Sequence, residues 1–534
     1  MAYDTLILNG TVIDGAGKPP HQADLGIAGG RITTVGDLAK ADSVRVIDAS
    51  GLVVAPGFID MHSHSDVTLL DDPGGESMAF QGVTTEVTGN CSFSPFPSGQ
   101  AGTEQLRAAL GSTLRSQAEW DWTTLDGWAG SVHSRGTSLN LAPLVGHGAI
   151  RVAAGVTENR PPTDDELAEM KRLAAGSVEE GAFGLSTGLT LAPSMYAQTG
   201  EIVELARSIA PYEHAFYATH ARVWAGWHVK ALEEAAEIGR KGGVPVQFSH
   251  IAIGDSRVFG RGDEMVAVID RARADGVDMT CDLYPYTAGA SGLNQSLPQW
   301  VQEGGSDAML ARLRDPSQRK RAFDDMAEGH FGGLPWAWDK MFITYVGSES
   351  NRSVVGLSLE SISEDRGVDP REAVLALIDE EDNNVGVVGH NRIESDVRFF
   401  MQYAHSMFGS DGRAISPDGW WARDRPHPRF YGCYPRILGR YVRDDGVLPL
   451  ETAIYKMTGL PADRLGLSDR GRIGEGLVAD LAIFDPDTVI DNATFDAPHQ
   501  LADGVSHVLV NGEPVILDGK HTGATPGRVL RRGE

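Results

Sequence analysis

The sequence has few cysteines, few basic residues and no long apolar run, and each shortage excludes a class of protein. Three cysteines in 534 residues provide no disulfide framework, so we expect a reducing, cytoplasmic environment. Acidic residues outnumber basic ones by 73 to 46, giving a net charge of −27. Nonspecific nucleic-acid binding needs a basic surface, so nucleic acid is not an expected partner. No stretch approaches the roughly 18 apolar residues of a membrane helix, and no signal-peptide pattern begins the chain, which predicts an unexported, soluble protein.

Both ends of the chain carry short apolar runs that are interrupted by Asn-Gly, at positions 9–10 and 511–512. Asn-Gly between apolar runs is a strong signal for a β-hairpin. Because further strand-like segments lie beside each run, we predict one small β-sandwich domain built from both termini, residues 1–56 and 468–534. Two separate terminal hairpins are the alternative.

Residues 57–467 alternate between short apolar runs and segments of helical periodicity. This alternation is typical of parallel strands joined by helices, and its length suits a (β/α)8 barrel with insertions. We therefore predict an α/β fold, a distorted (β/α)8 TIM-type barrel. Nine segments qualify for eight strand places, so either 277–284 or 385–390 should lie outside the barrel. Residues 288–350 break the alternation and indicate a helical insertion or lid near the barrel mouth.

Side chains that can bind a metal end several of the strand segments. In GFIDMHSHSD two histidines are two positions apart, and alternate side chains of a strand share one face. The carboxyl ends of barrel strands surround one mouth, so residues far apart in the chain converge there. Imidazole, thiolate and carboxylate all bind Zn2+, and we predict a catalytic zinc site. Its candidate ligands are His62, His64, Cys91, His220, His250 and Asp411. For Cys91 the alternative is a small buried apolar residue.

The order of these residues resembles the amidohydrolase superfamily of metal-dependent hydrolases. Within it, the segments GVTTEVTGNC, YATHAR, FSHIAI, DLYPYTAG, FGSDG and RPHPR resemble the D-aminoacylase (N-acyl-D-amino-acid deacylase) family across nearly the whole chain. Hydantoinase-like relatives use a carboxylated lysine from the fourth strand, and the segment GAFGLSTG has no lysine. The cysteine therefore favours the deacylase branch.

This resemblance implies zinc-dependent hydrolysis of the amide bond of N-acyl-D-amino acids. Asp411 would act as the general base and acid, moving a proton from water to the leaving amine. The resemblance also divides the candidate ligands between a tight zinc site and a second, weaker one: Cys91, His220 and His250 form the first, and His62, His64 and Asp411 form the second.

The resemblance implies substrate contacts as well. Tyr196 and His147 are candidates to stabilise the oxyanion, the alternatives being that Tyr196 packs a loop and His147 caps a strand. Arg425, in RPHPR, resembles a carboxylate-binding arginine, a role that suits a bidentate guanidinium. Pairing with a neighbouring aspartate at the surface is the alternative for Arg425. Tyr284 and Ser291 resemble further substrate-binding residues.

Two positions depart from the family pattern. Typical members carry a substrate-binding lysine two residues after the sixth-strand histidine, where this chain has Ala252, and Ser92 stands where glycine is usual. The reaction class therefore follows more directly from the sequence than the substrate does. Hydrolysis of a cyclic amide or lactam and a noncatalytic scaffold on the same fold are the competing interpretations. The expected partner is a small-molecule amide, without nucleic acid or membrane, and a homo-oligomer is left open.

Overall fold

A computed structural model describes residues 3–99, 101–110 and 114–534 of the chain. Its strands are short, and most of them are buried. In chain order they are β1 (Tyr3–Leu8), β2 (Thr11–Val12), β3 (His21–Gln22), β4 (Asp24–Ala28), β5 (Arg31–Gly36), β6 (Ser43–Asp48), β7 (Val53–Pro56), β8 (Phe58–Asp60), β9 (Val83–Thr88), β10 (Asn140–Pro143), β11 (Val145–Gly146), β12 (Gly184–Gly188), β13 (Phe216–His220), β14 (Val246–Phe248), β15 (Met279–Leu283), β16 (Gly289–Gly292), β17 (Met341–Val346), β18 (Val385–Gly389), β19 (Ser406–Phe408), β20 (Leu481–Phe484), β21 (Val505–Val510), β22 (Glu513–Leu517) and β23 (Lys520–His521).

Helices connect many of these strands, and their buried positions recur every three or four residues, as expected for helices that cover a sheet. In the described ranges none of them is long and apolar enough to cross a bilayer. They are α1 (Thr68–Asp71), α2 (Glu76–Ala79), α3 (Gly102–Leu110), α4 (Leu125–Arg135), α5 (His147–Ala153), α6 (Asp164–Glu179), α7 (Thr199–Ile209), α8 (His228–Gly242), α9 (Gly262–Ala274), α10 (Gly305–Arg314), α11 (Pro316–Asp325), α12 (Leu359–Arg366), α13 (Pro370–Glu380), α14 (Glu394–Gln402), α15 (Arg429–Arg436), α16 (Leu450–Met457) and α17 (Gly459–Leu465), with a π-helix at Ile437–Asp444.

Parallel strands form the centre of the molecule. Strand β9 pairs with β8 and β10, and a second sheet runs in the order β11-β12-β13-β14-β15-β19. Strands β10 and β11 are separated only by Leu144, whose N–H donates to Thr88 O at 2.9 Å. At the other side, Met61 N–H donates to Phe408 O at 3.2 Å. The first and last parallel strands are therefore neighbours, and their carboxyl ends lie at one edge.

The insertion is longer than the sequence indicates. Strand β15 belongs to the parallel sheet, whereas β18 pairs antiparallel with both β16 and β17. Of the two competing segments, 385–390 is therefore the one outside the parallel strands. Strand β18 completes a small sheet that shares an apolar cluster with the helices around it, including Leu293, Leu310 and Val387. The inserted unit thus ends at β18, well beyond the predicted limit of residue 350, because its sheet needs this returning strand.

Strands from the two ends of the chain pair with each other. Strand β7 pairs antiparallel with β20 in a sheet of order β23-β22-β21-β20-β7-β2-β3. A second sheet, of order β5-β4-β1-β6, comes from the first 48 residues. One apolar cluster contains residues of both sheets, among them Ile7, Leu25, Val54 and Leu509.

The two Asn-Gly turns have different roles. Asn511-Gly512 joins β21 and β22 in a hairpin, with φ of 52° and 81°, as a turn with two left-handed residues requires. Asn9-Gly10 instead joins β1 and β2, which lie in different sheets, so the hairpin expected there is wrong. A side chain at Gly10 would place its Cβ 2.5 Å from Val54 Cγ2. Glycine therefore allows the chain to cross closely from one sheet to the other.

Candidate metal centre and its cavity

The six candidate ligands lie at or just beyond the carboxyl ends of five parallel strands. Three of them, Cys91, His250 and Asp411, have φ of 52°, 37° and 51°. Non-glycine residues seldom adopt this left-handed conformation, which costs of order 1–3 kcal/mol and persists where the surrounding structure holds it. At these residues the backbone turns sharply away from the direction of the preceding strand. The ligands and their strands are His62 and His64 after β8, Cys91 after β9, His220 at the end of β13, His250 after β14 and Asp411 after β19.

The Cys91 thiol lies among three imidazoles. Its Sγ is 3.2 Å from His62 Nε2, 3.6 Å from His250 Nε2 and 3.8 Å from His220 Nδ1. Tetrahedral zinc with Zn–N and Zn–S bonds of roughly 2.0–2.3 Å separates its ligands by about 3.3–3.8 Å. The donor atoms of His62, Cys91 and His250 all lie within 4.8 Å of one another, so these three can hold one ion, whereas His220 adjoins the group through its contact with the thiol.

Asp411 contacts both histidines that follow β8 and also forms an ion pair with an arginine. Its Oδ1 lies 3.1 Å from His64 Nε2 and 3.8 Å from His62 Nε2. Its Oδ2 forms an ion pair with Arg429 Nη1 at 2.9 Å. His62, His64 and Asp411 thus form a second group of converging donors, and His62 belongs to both groups.

Burial lowers the pKa of three of the four imidazoles, whereas for His62 the Cys91 thiol and Asp282 outweigh burial and raise the pKa well above its usual range. Loss of contact with water lowers the pKa of His64 and of His220 to about 4, and that of His250 well below its usual range. These rings are therefore neutral, which is the form that binds a metal.

The thiol and the carboxyl respond differently to burial. Burial raises the pKa of the Cys91 thiol, and His62 offsets only part of this effect. A divalent cation would supply the field that favours the thiolate. Burial also acts to raise the pKa of the Asp411 carboxyl, but Arg429 and then His64 outweigh it and hold this pKa well below its usual range. Neutral imidazole, thiolate and carboxylate are a donor set that suits Zn2+.

Asp282, which the sequence analysis missed, holds two of the candidate ligands. Its Oδ1 accepts the backbone N–H of His250 at 2.8 Å and lies 3.5 Å from His62 Nδ1. Gln247 Nε2 donates to Oδ2 at 2.8 Å. A carboxylate behind an imidazole orients the ring and raises its basicity. Its position near the end of a buried strand, in MTCDL, is the sequence signal that could have found it.

Thr190 supports His220 from the side away from Cys91. Its Oγ1 lies 2.6 Å from His220 Nε2, and this contact leaves Nδ1 to face the thiol. A hydrogen bond at one ring nitrogen fixes the orientation of the ring and the tautomer that can bind a metal at the other. Thr190 lies in a loop after β12, where no sequence pattern marks it.

A cavity of about 330 Å3 opens above the candidate ligands, between the strand ends and the insertion. His64, Cys91, His220, His250 and Asp411 line its floor. Tyr284 and Ser291, predicted substrate contacts, also line it.

Three other predicted contacts lie outside the lining of this cavity. Tyr196 is buried and donates its O–H to Gln299 O at 3.1 Å. Arg425 is exposed, and its backbone N–H donates to Thr344 O at 2.7 Å. Their assignment as substrate contacts stays a prediction. The second arginine of RPHPR, Arg429, lines the cavity instead.

His147 is the third of these residues. Its ring is fully buried between the Ser194 hydroxyl and Glu201, whose Oε1 lies 2.9 Å from His147 Nε2. The same carboxylate accepts from Arg151 Nη1 at 2.7 Å. The ring therefore packs beneath the loop after β12, and its assignment as an oxyanion donor stays a prediction.

Histidine, cysteine and aspartate side chains converge at the ends of the parallel strands. This arrangement is typical of a metal-dependent enzyme. The amidohydrolase family profile matches residues 45–222 and 407–516. The chain is 37% identical over 532 residues to the D-aminoacylase of Alcaligenes xylosoxydans xylosoxydans, covering 99% of this chain and 98% of that protein.

Solved structures give the same result. The N-acyl-D-glutamate deacylase of Bordetella bronchiseptica, complexed with zinc and a phosphonate mimic of the tetrahedral intermediate, is 32% identical, with a TM-score of 0.84 over 99% of this chain and 100% of that one. A D-aminoacylase described as having a binuclear metal centre, with one-metal activation and second-metal attenuation, is 36% identical, with a TM-score of 0.83 and the same coverage. This chain belongs to the amidohydrolase family and, within it, to the D-aminoacylase group.

Replacing the central thiol tests its role as a ligand. We expect Cys91→Ala to lower the zinc content of the purified protein, because the neutral methyl group offers no donor between the imidazoles. Metal analysis by mass spectrometry measures this directly. Cys281→Ala is the matched control, since Cys281 is equally buried but lies in β15 against His405 O. Unchanged zinc in Cys91→Ala would make Cys91 a packing residue.

The support of His220 by Thr190 makes a separate prediction. We expect Thr190→Val, which keeps the shape but removes the hydroxyl, to weaken zinc binding by about 10- to 100-fold, the usual effect of losing such a partner. Competition with a chelator measures the affinity. Thr190→Ser should retain most of it, and equal affinity in the Val and Ser variants would contradict the assignment.

Proposed function

We propose that this chain is a zinc-dependent amidohydrolase that cleaves the amide bond of N-acyl-D-amino acids to a carboxylic acid and a free amino acid. The observation that carries the proposal is the Cys91 thiol among His62, His220 and His250. Of these residues Cys91, His220 and His250 line the floor of one cavity, together with Asp411. The relatives named D-aminoacylase and N-acyl-D-glutamate deacylase, the latter solved with zinc and an intermediate mimic, support both the metal and the bond cleaved.

Two groups of residues would hold metal. Cys91 with His220, His250 and the nearby His62 would hold the tightly bound ion, and His62 with His64 and Asp411 would hold a second, weaker one. Bound zinc lowers the pKa of water and polarises the substrate carbonyl. The one-metal activation described for the D-aminoacylase supports a single ion as sufficient.

Asp411 would move the proton. Its carboxylate is ionised, since Arg429 and His64 hold its pKa well below the usual range. It lines the cavity floor, so it can accept a proton from the attacking water and deliver it to the leaving nitrogen. The ion pair with Arg429 fixes one oxygen and leaves the other directed toward the metal ligands.

The insertion would cover the substrate. His330 stacks on Phe331 at 3.7 Å and on Trp336 at 5.1 Å, and all three line the cavity. Such an aromatic wall would pack against apolar parts of the substrate and exclude water from the reacting bond.

Finer features of the architecture belong to this proposal. We infer that the parallel strands close into a distorted (β/α)8 barrel, residues 57–467, and that the terminal strands form a β-sandwich domain, residues 1–56 and 468–534. The contact between Met61 and Phe408 and the shared apolar cluster of the terminal sheets support this division. The three unpaired, buried cysteines support a cytoplasmic location.

A substrate panel tests the reaction. We expect turnover of N-acetyl-D-amino acids and much slower turnover of the L-enantiomers, hydantoins, dihydropyrimidines and lactams by the zinc-loaded enzyme. Release of free amine measures the linear substrates, and chromatography measures ring opening. Turnover of the cyclic amides alone would favour the competing function, and a zinc-free protein without any of these activities would favour a scaffold.

A substitution tests the proton carrier. We expect Asp411→Ala to lower kcat by a factor on the order of 10²–10⁴, the usual contribution of a general acid–base, while the tightly bound zinc is retained. Steady-state kinetics and metal analysis of the same sample give both values. Asp418→Ala, which removes an exposed carboxylate from the same loop, is the control. Near-normal turnover in Asp411→Ala would overturn the assignment.

A further inference from the structure

Arg392 is one of the cations that line the cavity. It follows β18 of the insertion and lines the cavity above the candidate ligands. Its guanidinium carbon lies 4.5 Å from the centre of the Tyr284 ring. Within residues 3–99, 101–110 and 114–534, no carboxylate forms an ion pair with it. An arginine held over a ring in a partly closed cavity, without a carboxylate, is positioned for an anionic ligand.

The other cations of the cavity are placed differently. Arg429 also lies over the Tyr284 ring, at 4.6 Å, but unlike Arg392 it forms an ion pair with Asp411 at 2.9 Å. Arg413 lies over the rings of Trp421 and Phe430, at 5.7 and 5.6 Å. Lys340 is exposed at the cavity mouth.

The space beside Arg392 is shaped for a small polar group. A Cβ built on Gly289 would lie 3.5 Å from both Arg392 Nη2 and the Tyr284 hydroxyl. The two donors therefore converge on one point, which the absence of a side chain at Gly289 leaves open. Two residues along β16, Ser291 lines the same cavity. Ala252, on the loop after β14, contributes only a methyl group to this lining.

Arg392 lines the same cavity as the candidate metal ligands His220 and His250. In an N-acyl amino acid the α-carboxylate and the scissile nitrogen are attached to the same carbon. The group that binds this carboxylate must therefore lie near the metal ligands, whereas a group that binds a side chain can lie further away.

We propose that Arg392, together with the Tyr284 hydroxyl, binds the α-carboxylate of the N-acyl amino acid. This inference rests on the proposed function. The planar guanidinium can donate two parallel hydrogen bonds to a carboxylate, and its packing on Tyr284 fixes it before the substrate arrives. Arg392 thus makes the enzyme specific for amides that carry a carboxylate on the carbon attached to the amide nitrogen.

The test compares Arg392→Met, which keeps the length of the side chain, with the wild-type enzyme. We expect kcat/KM for N-acetyl-D-amino acids with uncharged side chains to fall by about 10- to 150-fold, chiefly through a higher KM. This fall corresponds to the loss of a hydrogen bond to a charged group. Zinc content should be unchanged. Arg392→Lys should restore part of the loss. Arg398→Met is the control, because Arg398 pairs with Glu394 and Asp445 at the surface.

A second substrate separates this role from general damage. We expect the corresponding N-acetyl amino-acid amides, which lack the α-carboxylate, to be turned over equally slowly by the wild-type enzyme and by Arg392→Met. An unchanged kcat/KM on N-acetyl-D-amino acids would overturn the inference. A loss confined to N-acyl-aspartate and N-acyl-glutamate would overturn it too, because Arg392 would then bind a side-chain carboxylate.

The failure of the proposed function has a different signature. If the wild-type enzyme hydrolysed no N-acyl amino acid, both the function and this inference would fall. If the wild-type enzyme hydrolysed them and Arg392→Met did so equally well, only the inference would fall.

Discussion

The structure depends on a thiol, several imidazoles and a carboxylate being buried together at the ends of parallel strands. Cys91 has three imidazoles within 3.8 Å of its sulfur, and removing such polar groups from water without a partner costs free energy. A metal ion would compensate all of them at once. The left-handed backbone at Cys91, His250 and Asp411 indicates that the fold accepts local strain to place these donors.

Hydrogen bonds from neighbouring residues hold the candidate ligands in position. Asp60 accepts the N–H of His62 at 3.1 Å and that of Ser410 at 2.8 Å, so it ties the first strand end to the last. Asp282 and Thr190 hold imidazoles from behind. Apart from the local contact between Asp60 and His62, these contacts join segments distant in sequence, so the geometry of the site depends on the whole sheet rather than on any one loop.

The insertion supplies part of the lining of the cavity above the candidate ligands. It adds the aromatic wall around Trp336, and its last strand delivers Arg392 to the cavity. In the proposed function, the strand ends would hold the reacting groups and the inserted unit would supply groups that select a substrate.

The sequence by itself determined the ligand types and the fold class. Period-two spacing in HSH and a polar residue after each apolar run are local signals, and parallel strands bring such residues together whatever the details of packing. Only the tertiary structure decided that β18 lies outside the parallel sheet, that Asn9-Gly10 crosses between sheets, and that Arg429 rather than Arg425 lines the cavity. Only the tertiary structure placed Thr190 beside His220 and Arg392 in the cavity. Their positions depend on contacts between residues distant in sequence, which leave no periodic trace along the chain.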